Sequence, residues 1–154
     1  MGTRFARGAG SSRRCALLML DIDHFRDINA NFGPHGGDEA IRAAAAAFLP
    51  AFREGEVGAR LSGDEFAVFL PNGGIDRALE LGETMRLAAV TLRLELPALK
   101  DGRPKTAAMT VSIGIAASPD HAASPEELVA AADRALYKAK EGGRNRVTVA
   151  PPAC

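Results

Sequence analysis

The sequence predicts an α+β domain in which one mixed sheet of roughly five strands is covered by helices. A continuous apolar run at residues 15–22 has the pattern of a central strand that is buried on both faces. Two short runs, at residues 56–61 and 66–70, flank a polar turn and therefore predict a hairpin. Helical segments alternate with these strands, and the predicted order of elements is βααββαβαβ.

Helices follow the first strand. A short helix is predicted at residues 25–30, where Asp23 or a neighbouring residue is placed to cap it. Residues 33–37 read Gly-Pro-His-Gly-Gly, which is the composition of a loop. A longer helix is predicted at residues 38–52, because five consecutive alanines favour helix and allow close packing.

The second half of the chain continues the alternation after the hairpin. The predicted elements are a helix at residues 75–94, a charged turn at 100–105, a strand at 106–117, a helix at 125–141 and a strand at 147–149. The last helix has the clearest start, since Ser124 stands in the capping position and Pro125 in the first turn. Gly142 and Gly143 end this helix.

Composition indicates one domain with its own hydrophobic core. The chain has 154 residues, of which 47% are hydrophobic, and 19 acidic residues balance 19 basic ones. This balance gives no strong field that would attract nucleic acid or a membrane surface. No segment approaches the ~20 apolar residues of a membrane span. The two cysteines, Cys15 and Cys154, make a poor disulfide framework, so a reducing, cytoplasmic compartment is expected.

The ends of the chain differ in composition from its centre. Residues 1–14 contain four arginines and no acid among Gly and Ser, which predicts a flexible arm or an expression-tag remnant. The domain itself is expected at residues 15–149. Residues 150–154 have the composition of a linker, and the whole is expected to be a fragment of a longer protein.

Four acids are candidates for a metal site. Asp21 and Asp23 follow the first strand and, being two apart, are expected to share one face. Asp64 and Glu65 lie in the predicted hairpin turn. If the hairpin lies beside the first strand, carboxylates from both elements meet, as Mg²⁺ prefers. The alternative, equally open from either pair alone, is a helix cap and a solvated turn.

Two further pairs of polar residues suit a nucleotide. Lys140 and Arg144 lie four apart at the end of the last helix, where cations complement the helix dipole without any ligand. Beside a metal site, however, such cations are typical of phosphate recognition. Asn29 and Asp38 flank the glycine-rich loop and have the hydrogen-bonding groups to read a guanine edge. Taken alone, they are ordinary loop and cap residues.

Other common sites are not indicated. The three histidines are scattered and, with the cysteines, lack the spacing of zinc ligands. No Ser-His-Asp arrangement is suggested, and no G-x-x-x-x-G-K-[ST] phosphate loop occurs. Tyr137 is predicted to pack in the core or along its helix rather than to act in catalysis.

Together these segments resemble the GGDEF family of diguanylate cyclases over about residues 15–149. The matching blocks, in family order, are residues 21–29 (DIDHFRDIN), 37–38 (GD), 60–66 (RLSGDEF), 110–114 (TVSIG), 132–140 (ADRALYKAK) and 143–146 (GRNR). A five-residue turn motif alone would be weak evidence. Several blocks at the family spacing are much more specific.

The resemblance implies a palm-like sheet shared with nucleotidyl cyclases and polymerases. It also implies that two GTP condense to cyclic di-GMP and two pyrophosphates. Carried over by position, Asp21, the carbonyl of Ile22 and Asp64 hold Mg²⁺ or Mn²⁺. Asp64 and Glu65 are then the catalytic residues: Asp64 accepts a proton or holds the activating metal, and Glu65 supports the metal site.

The resemblance also implies the substrate contacts and the assembly. The substrate-binding residues are Asn29 and Asp38 at guanine, Ser62 and Gly63 along the hairpin, and Lys140 and Arg144 at the distal phosphates. Each protomer binds one GTP, so turnover is expected only in a two-fold homodimer whose sites face each other.

Three positions depart from the family pattern. Ser62 stands where the family has the first glycine of its turn, and a positive φ there would cost up to about 1–2 kcal/mol. Pro34 replaces a nucleotide-contacting histidine and removes a donor, which affects GTP affinity more than catalysis. Arg53 and Glu56 match an Arg-x-x-Asp product-inhibition motif, with Glu in place of Asp. The alternative interpretation of this last pair, which we favour, is a charged helix end.

Three functions follow for testing. The first is an active diguanylate cyclase. The second is a catalytically weak or inactive GTP-binding module that controls a linked phosphodiesterase, since Leu61 resembles family members fused to an EAL domain. The third is a structural or dimerisation domain, against which the retained charged residues argue. Linked sensor domains are expected; nucleic-acid binding and direct membrane insertion are not.

Overall fold

The computed structural model describes residues 14–153, and its main element is a five-stranded mixed sheet in the order β2-β3-β1-β6-β7. The elements are β1 Cys15–Ile22, α1 Phe25–Phe48, β2 Val57–Ser62, β3 Glu65–Leu70, α2 Ile75–Thr91, β4 Leu94–Pro97, β5 Pro104–Ala107, β6 Val111–Ser118, α3 Pro125–Glu141 and β7 Arg146–Val149. All neighbours in the large sheet are antiparallel except β6 and β7, which are parallel. The predicted α+β class and mixed sheet are confirmed.

Strand β1 is the centre of the sheet, as its apolar sequence predicts. Its side chains alternate between two cores, because successive residues of a strand point to opposite faces. Leu18 and Leu20 pack with residues of α1 and α2, whereas Leu17 and Met19 pack with residues of α3. Burial of both faces explains why this segment is continuously apolar.

Helix α3 touches the sheet at a glycine. A Cβ atom at Gly114 in β6 would lie 2.1 Å from the backbone nitrogen of Leu136 and 2.3 Å from the carbonyl oxygen of Ala132. No other residue fits between these two backbones. The position of α3, and of the basic residues at its end, is therefore set by direct backbone contact with β6.

The predicted glycine-rich loop is reduced to a kink. Helix α1 runs from Phe25 to Phe48 and departs from helical geometry at Gly33, where φ is 76° and ψ is 174°. Pro34 occupies the first turn of the second arm, where its missing N–H has no helical partner to lose. The prediction of a loop over residues 33–37 is therefore wrong. The helix also stops short of residue 52, because a 3-10 turn containing Pro50 follows at Leu49–Ala51.

The predicted strand at residues 106–117 is two strands. Strand β5 ends at Ala107 and pairs with β4 in a separate two-stranded sheet, with Leu94 opposite Ala107. This hairpin was not predicted, although the Asp101-Gly102 turn, with φ of 69° at Gly102, is a hairpin signal. Helix α2 correspondingly ends at Thr91 rather than at residue 94.

Several local predictions are confirmed. The hairpin of β2 and β3 forms, and Ser124 caps α3 by accepting a hydrogen bond from the N–H of Glu127 at 3.2 Å. Cys15 is buried at a strand start. Tyr137 was predicted to pack in the core or along its helix; it is 63% exposed, which excludes the core position. Cys154 and nearly all of the predicted N-terminal arm lie outside the described residues.

Between residues 14 and 153, none of the helices combines the length and the apolar character needed to cross a bilayer.

Candidate functional site

The site begins where β1 and the hairpin meet. Asp21 is paired with Glu65 in the β1–β3 register, and the N–H of Ile22 donates to the carbonyl of Asp64 at 3.3 Å. The hairpin therefore lies beside the first strand, and the carboxylates of the two elements converge as expected. Gly63 and Asp64 form the two-residue loop between the paired Ser62 and Glu65.

The strain predicted at Ser62 is not there. Positive φ at non-glycine residues of the described chain occurs at His24, Arg144 and Asn145. Ser62 is the last residue of β2, and Gly63 carries the positive φ of the turn, 43°. The departure from the family's glycine pattern therefore falls on a strand position, where a serine has ordinary backbone geometry.

Asp21 has one satisfied and one unsatisfied oxygen. Its carboxylate is 14% exposed, and Oδ2 pairs with Nζ of Lys140, which reaches it from α3. Oδ1 is buried, and no donor within residues 14–153 reaches it. A buried carboxylate oxygen without a partner is costly, so this atom is suited to a cation.

Asp64, Glu65 and Asp133 have raised pKa values. Burial is the main cause in all three, and the neighbouring Asp21 carboxylate raises each pKa further. Asp133 was not predicted. It lies seven residues before Lys140 on α3, hence on the same face two turns away, and this spacing is the signal that would have found it. Negative charge is therefore concentrated around Asp21, and Lys140 is the cation that faces it.

Asp23 lies at the same end of β1 as Asp21, but its carboxylate is already engaged. It is 5% exposed and accepts hydrogen bonds from Thr110 Oγ1 at 2.7 Å, Ser112 Oγ at 2.6 Å and the backbone N–H of Asn145 at 3.0 Å. Asp23 lines the cavity of the site, yet only Asp21 has a carboxylate oxygen that no donor of the described chain reaches. The cap expected from Asp23 or a neighbour is wrong: His24 holds that position and, within the described chain, makes no side-chain capping bond.

Lys140 and Arg144 line one cavity with Asp64. This cavity, of about 340 Å³, lies beside the end of β1 and the start of α1. The rest of its wall is formed by residues 22–27, of which Ile22 was a predicted site residue and His24, Phe25, Arg26 and Asp27 were not. Acids that suit a cation and bases that suit phosphate thus share one opening.

Asn29 and Asp38 lie on either side of the kink of α1. Asn29 is half-buried and Asp38 is exposed. A Cβ atom at Gly37 would lie 1.9 Å from Oδ1 of Asn29, so the amide rests directly on the glycine that precedes Asp38. The structure thus places Asn29 against the residue before Asp38, and neither Asn29 nor Asp38 lines the cavity that contains Lys140.

The residues at the end of β1 fit Mg²⁺ rather than a metal that needs a protein cage. Across residues 14–153, no group of three or more His, Cys, Asp or Glu side chains has metal-binding geometry. Mg²⁺ usually binds through one or two carboxylates, with water and phosphate oxygens completing its shell. Asp21, with its unpartnered Oδ1, and Asp64 provide that donor set.

Comparison with known proteins identifies the family. The family model described as diguanylate cyclase, GGDEF domain, matches residues 2–146. This chain belongs to the GGDEF family. Its relatives include the uncharacterised protein YhcK of Bacillus subtilis (38% identical over 132 residues, 86% of this chain and 35% of that protein) and the diguanylate cyclase DgcM of Escherichia coli (38% over 135 residues, 88% and 30%). The chain thus spans about a third of the length of these relatives.

Solved GGDEF structures have the same fold. The GGDEF domain of YfiN, also called TpbB, from Pseudomonas aeruginosa superposes with a TM-score of 0.85 at 31% identity, covering 97% of this chain and 90% of that one. The GGDEF domain of DgcB from Caulobacter crescentus, in complex with c-di-GMP, has a TM-score of 0.83 at 30% identity, with coverage of 96% and 84%.

The Arg53 and Glu56 of this GGDEF domain lie at the opposite end of the sheet, and Glu56 is fully engaged. Its Oε1 and Oε2 accept from Nε and Nη2 of Arg77, both at 2.7 Å, and Oε2 also accepts from the N–H of Arg53 at 2.8 Å. The hydrogen bonds from Arg77 are the main reason that the pKa of Glu56 is lowered.

The predicted pair of Arg53 and Glu56 is not simply a charged helix end, the interpretation that we favoured, because Glu56 is buried against Arg77. The Glu56 and Arg77 side chains are 8% and 11% exposed, whereas that of Arg53 is 64% exposed. Arg77 also donates to the carbonyl of Ala51 at 2.9 Å. Arg77 was missed because its partner lies 21 residues away, beyond any helical or strand spacing. Arg53, Glu56 and Arg77 all line a second cavity of about 510 Å³.

Proposed function

We propose that this GGDEF domain is a diguanylate cyclase that condenses two GTP to cyclic di-GMP and two pyrophosphates. The observation that carries the proposal is the cavity in which Asp64 meets Lys140 and Arg144, next to the unpartnered oxygen of Asp21. The diguanylate cyclases among its relatives support the reaction class. The DgcB domain crystallised with c-di-GMP supports the product.

The acidic half of the site would activate the attacking hydroxyl. Asp21, the carbonyl of Ile22 and Asp64 would hold Mg²⁺ (or Mn²⁺), which lowers the pKa of a bound hydroxyl and neutralises charge on phosphate oxygens. Asp64, which lies in the cavity with Lys140 and Arg144, would accept the proton or hold the activating metal. Glu65 lies opposite Asp21 in the sheet and supports the same site.

The basic half of the site would hold the leaving group. Lys140 and Arg144 bring positive charge to the cavity from the end of α3 and the turn that follows it. Contacts to the distal phosphates would orient the α-phosphate towards the attacking hydroxyl and stabilise pyrophosphate as it leaves. Lys140 pairs with Asp21 and also lines the cavity, so it would link the acids to the bound phosphates.

Guanine would be read at the kink of α1. The Asn29 amide and the Asp38 carboxylate match the donors and acceptors of the guanine edge. Ser62 and Gly63 would bring the hairpin close to the nucleotide. Pro34 removes a donor that the family has here, so we expect weaker GTP binding than in relatives with histidine at this position.

Catalysis would require a homodimer, because each protomer binds one GTP and the two nucleotides must meet. Among the related structures, the diguanylate cyclase SiaD of Pseudomonas aeruginosa was crystallised in complex with its activator SiaC. Another related structure is that of an EAL/GGDEF domain protein from M. capsulatus. We accordingly propose linked sensor or EAL domains and a cytoplasmic setting. Product feedback at Arg53 and Glu56 would require c-di-GMP to compete with Arg77 for the Glu56 carboxylate.

The second candidate function is a GTP-binding regulatory module without turnover. Pro34 favours it, since a weakened nucleotide site can still serve as a sensor. Turnover distinguishes the two candidates: both bind GTP in calorimetry, but only the cyclase yields cyclic di-GMP. Absence of binding at millimolar GTP would remove the module as a candidate.

The deciding experiment is a turnover assay. The domain, fused to a dimeric coiled coil to enforce pairing, is incubated with GTP and Mg²⁺, and the products are separated by chromatography. We expect cyclic di-GMP from the wild type and none from Asp64→Ala. No cyclic di-GMP from the enforced dimer would overturn the cyclase proposal, and equal product from both proteins would refute the role of Asp64.

A further inference from the structure

Asp23 is a buried acid to which the reaction proposed above assigns no chemistry. Its carboxylate connects three parts of the chain: it accepts from Thr110 and Ser112 around the start of β6 and from the N–H of Asn145 after α3. We propose that Asp23 is a positioning residue that holds Arg144 at the phosphate end of the cavity.

The turn that carries Arg144 has an unusual backbone. Three consecutive residues have positive φ: Gly143 at 121°, Arg144 at 65° and Asn145 at 45°. Residues with a side chain rarely adopt this conformation, and they keep it only where surrounding contacts enforce it. Arg144 and Asn145 therefore need support from outside the turn.

Besides a bond from Nε of Arg146 in β7 to the carbonyl of Arg144, three hydrogen bonds to residues more distant in sequence provide that support. The N–H of Arg144 donates to the carbonyl of Ala139, and Arg86 donates to the side chain of Asn145, both at 3.0 Å. Both of these bonds come from helices. The bond from the N–H of Asn145 to Asp23 ties the turn to the end of the central strand.

The hydrogen bond between Asn145 and Asp23 lies next to the proposed nucleotide site, so its loss should affect phosphate binding. Asp23 lies two residues beyond Asp21, so it fixes the turn relative to the strand end that carries the proposed metal ligand. Arg144 lines the same cavity as Asp64. Without Asp23 the turn can relax, and the guanidinium leaves the place where distal phosphates would lie. This inference rests on the proposed nucleotide function.

The test compares a triphosphate with a monophosphate. Affinities for GMP and for the α,β-methylene analogue of GTP are measured by calorimetry with Mg²⁺. For Asp23→Ala we expect a loss of roughly tenfold to hundredfold for the analogue, the size of a charge-assisted hydrogen bond, and no comparable loss for GMP. Arg144→Ala should lose as much, and the double variant should lose no more than Arg144→Ala alone.

Two variants separate positioning from stability. Ser112→Ala removes a partner of Asp23 but leaves the bond to Asn145, so it should lower the melting temperature without changing selectivity for the triphosphate. In Asp23→Asn the side-chain oxygen can still accept from Asn145 while the amide donates to Ser112, so tight binding should be retained. If Asp23→Ala does not fold, the comparison is made between Ser112→Ala and Asp23→Ala/Ser112→Ala, which leaves fewer buried polar groups unpaired.

The outcomes are distinguishable from failure of the proposed function. If the wild type binds the analogue no more tightly than GMP, the phosphate role of Arg144 is wrong and this inference falls with it. If Arg144→Ala loses selectivity but Asp23→Ala keeps it, only the inference is overturned. Equal losses in Asp23→Asn and Asp23→Ala would show that charge, not position, matters, and would also overturn it.

Discussion

The buried carboxylates at the two ends of the central sheet differ in how completely they are paired. Where β1 ends, Asp21 leaves one oxygen unpartnered, and Asp64 and Glu65 have raised pKa values. Where β1 begins, Glu56 has both oxygens bonded to Arg77, and its pKa is lowered. The first end holds charge that its own residues do not neutralise, whereas the second end is fully paired.

This difference separates a binding site from a structural anchor. An acid whose pKa is raised in the folded state lowers the stability of the fold at neutral pH, and such acids cluster at functional sites. An acid whose pKa is lowered contributes stability at neutral pH, and removing one partner of a buried pair is strongly destabilising. Substitutions at the two ends should therefore have opposite effects on activity and on stability, and the following predictions test that contrast.

The largest expected effect is on turnover at the site end. Asp64→Ala should reduce cyclic di-GMP formation on the order of 10²–10⁴-fold, because it removes the proposed proton acceptor and metal ligand. Its free energy of unfolding should stay equal or rise, since a destabilised charge is removed. Chromatographic rates and urea titrations measure the two quantities. A loss of stability in proportion to activity would contradict the assignment of this end as a site.

The next effect is on stability at the paired end. Arg77→Ala should lower the free energy of unfolding by about 3 kcal/mol, because it leaves the Glu56 carboxylate buried without its partner. The matched control is Arg42→Ala, whose pair with Glu39 is mostly exposed and should contribute about 0.3–0.5 kcal/mol. Urea unfolding of both variants checks the difference. Equal small losses would show that the Glu56 pair is not an anchor.

The pH dependence should have opposite signs at the two ends. The raised pKa values of Asp64, Glu65 and Asp133 give a contribution that is complete below their unfolded pKa values and lost as pH rises through the folded ones. The lowered pKa of Glu56 gives a contribution that is present above its unfolded pKa and lost as pH falls through the folded one.

Variant differences isolate these contributions. Urea unfolding is followed from about pH 3 to about pH 7 for the wild type, Asp64→Asn and Glu56→Gln. Asp64→Asn should gain stability over the wild type as pH rises, and Glu56→Gln should lose its deficit as pH falls. Burial also lowers the pKa of His121, but this contribution is common to all three proteins and cancels in the differences. Parallel curves for the three would contradict the contrast.

The smallest effect is expected at Ser62. The residue ends β2, is exposed and lacks positive φ, so restoring the family's glycine relieves no strain. Ser62→Gly should cost about 0.5–1 kcal/mol of stability, because glycine loses more backbone entropy in a strand. Turnover should change little. A stabilised and markedly faster Ser62→Gly variant would show that the serine does restrict the turn.

The motifs predicted the site's acids better than their partners. The sequence indicated four of these residues because they lie in segments that match the family's motifs: Asp21, Asp64, Lys140 and Arg144. Asp23 was rightly expected beside Asp21, but the hydrogen bonds that engage its carboxylate come from residues 110, 112 and 145, and no local spacing reveals them.

Partners that are distant in sequence could not be predicted. Glu56 and Arg77 meet only after α2 packs beside the 3-10 turn at Leu49–Ala51, and no local period links the two residues. The β4–β5 hairpin was missed for a related reason: charged residues around its turn hid a short apolar alternation at Leu94 and Leu96. Propensity describes local geometry, whereas side-chain pairing depends on which elements become neighbours.

The place of β1 in the sheet has a consequence for how the chain folds. This strand comes first in the described chain, yet Cys15 pairs with Ser118 and Ala16 with Leu70. Its two partner strands, β6 and β3, are therefore synthesised much later. Pairings this far apart in sequence form slowly, because a long loop must close before any contact is gained. During synthesis β3 can pair with one edge of this strand, but the other edge stays unpaired until β6 has emerged. Folding of the sheet is therefore expected late and as one cooperative event, with Cys15–Ile22 the segment that most needs protection beforehand.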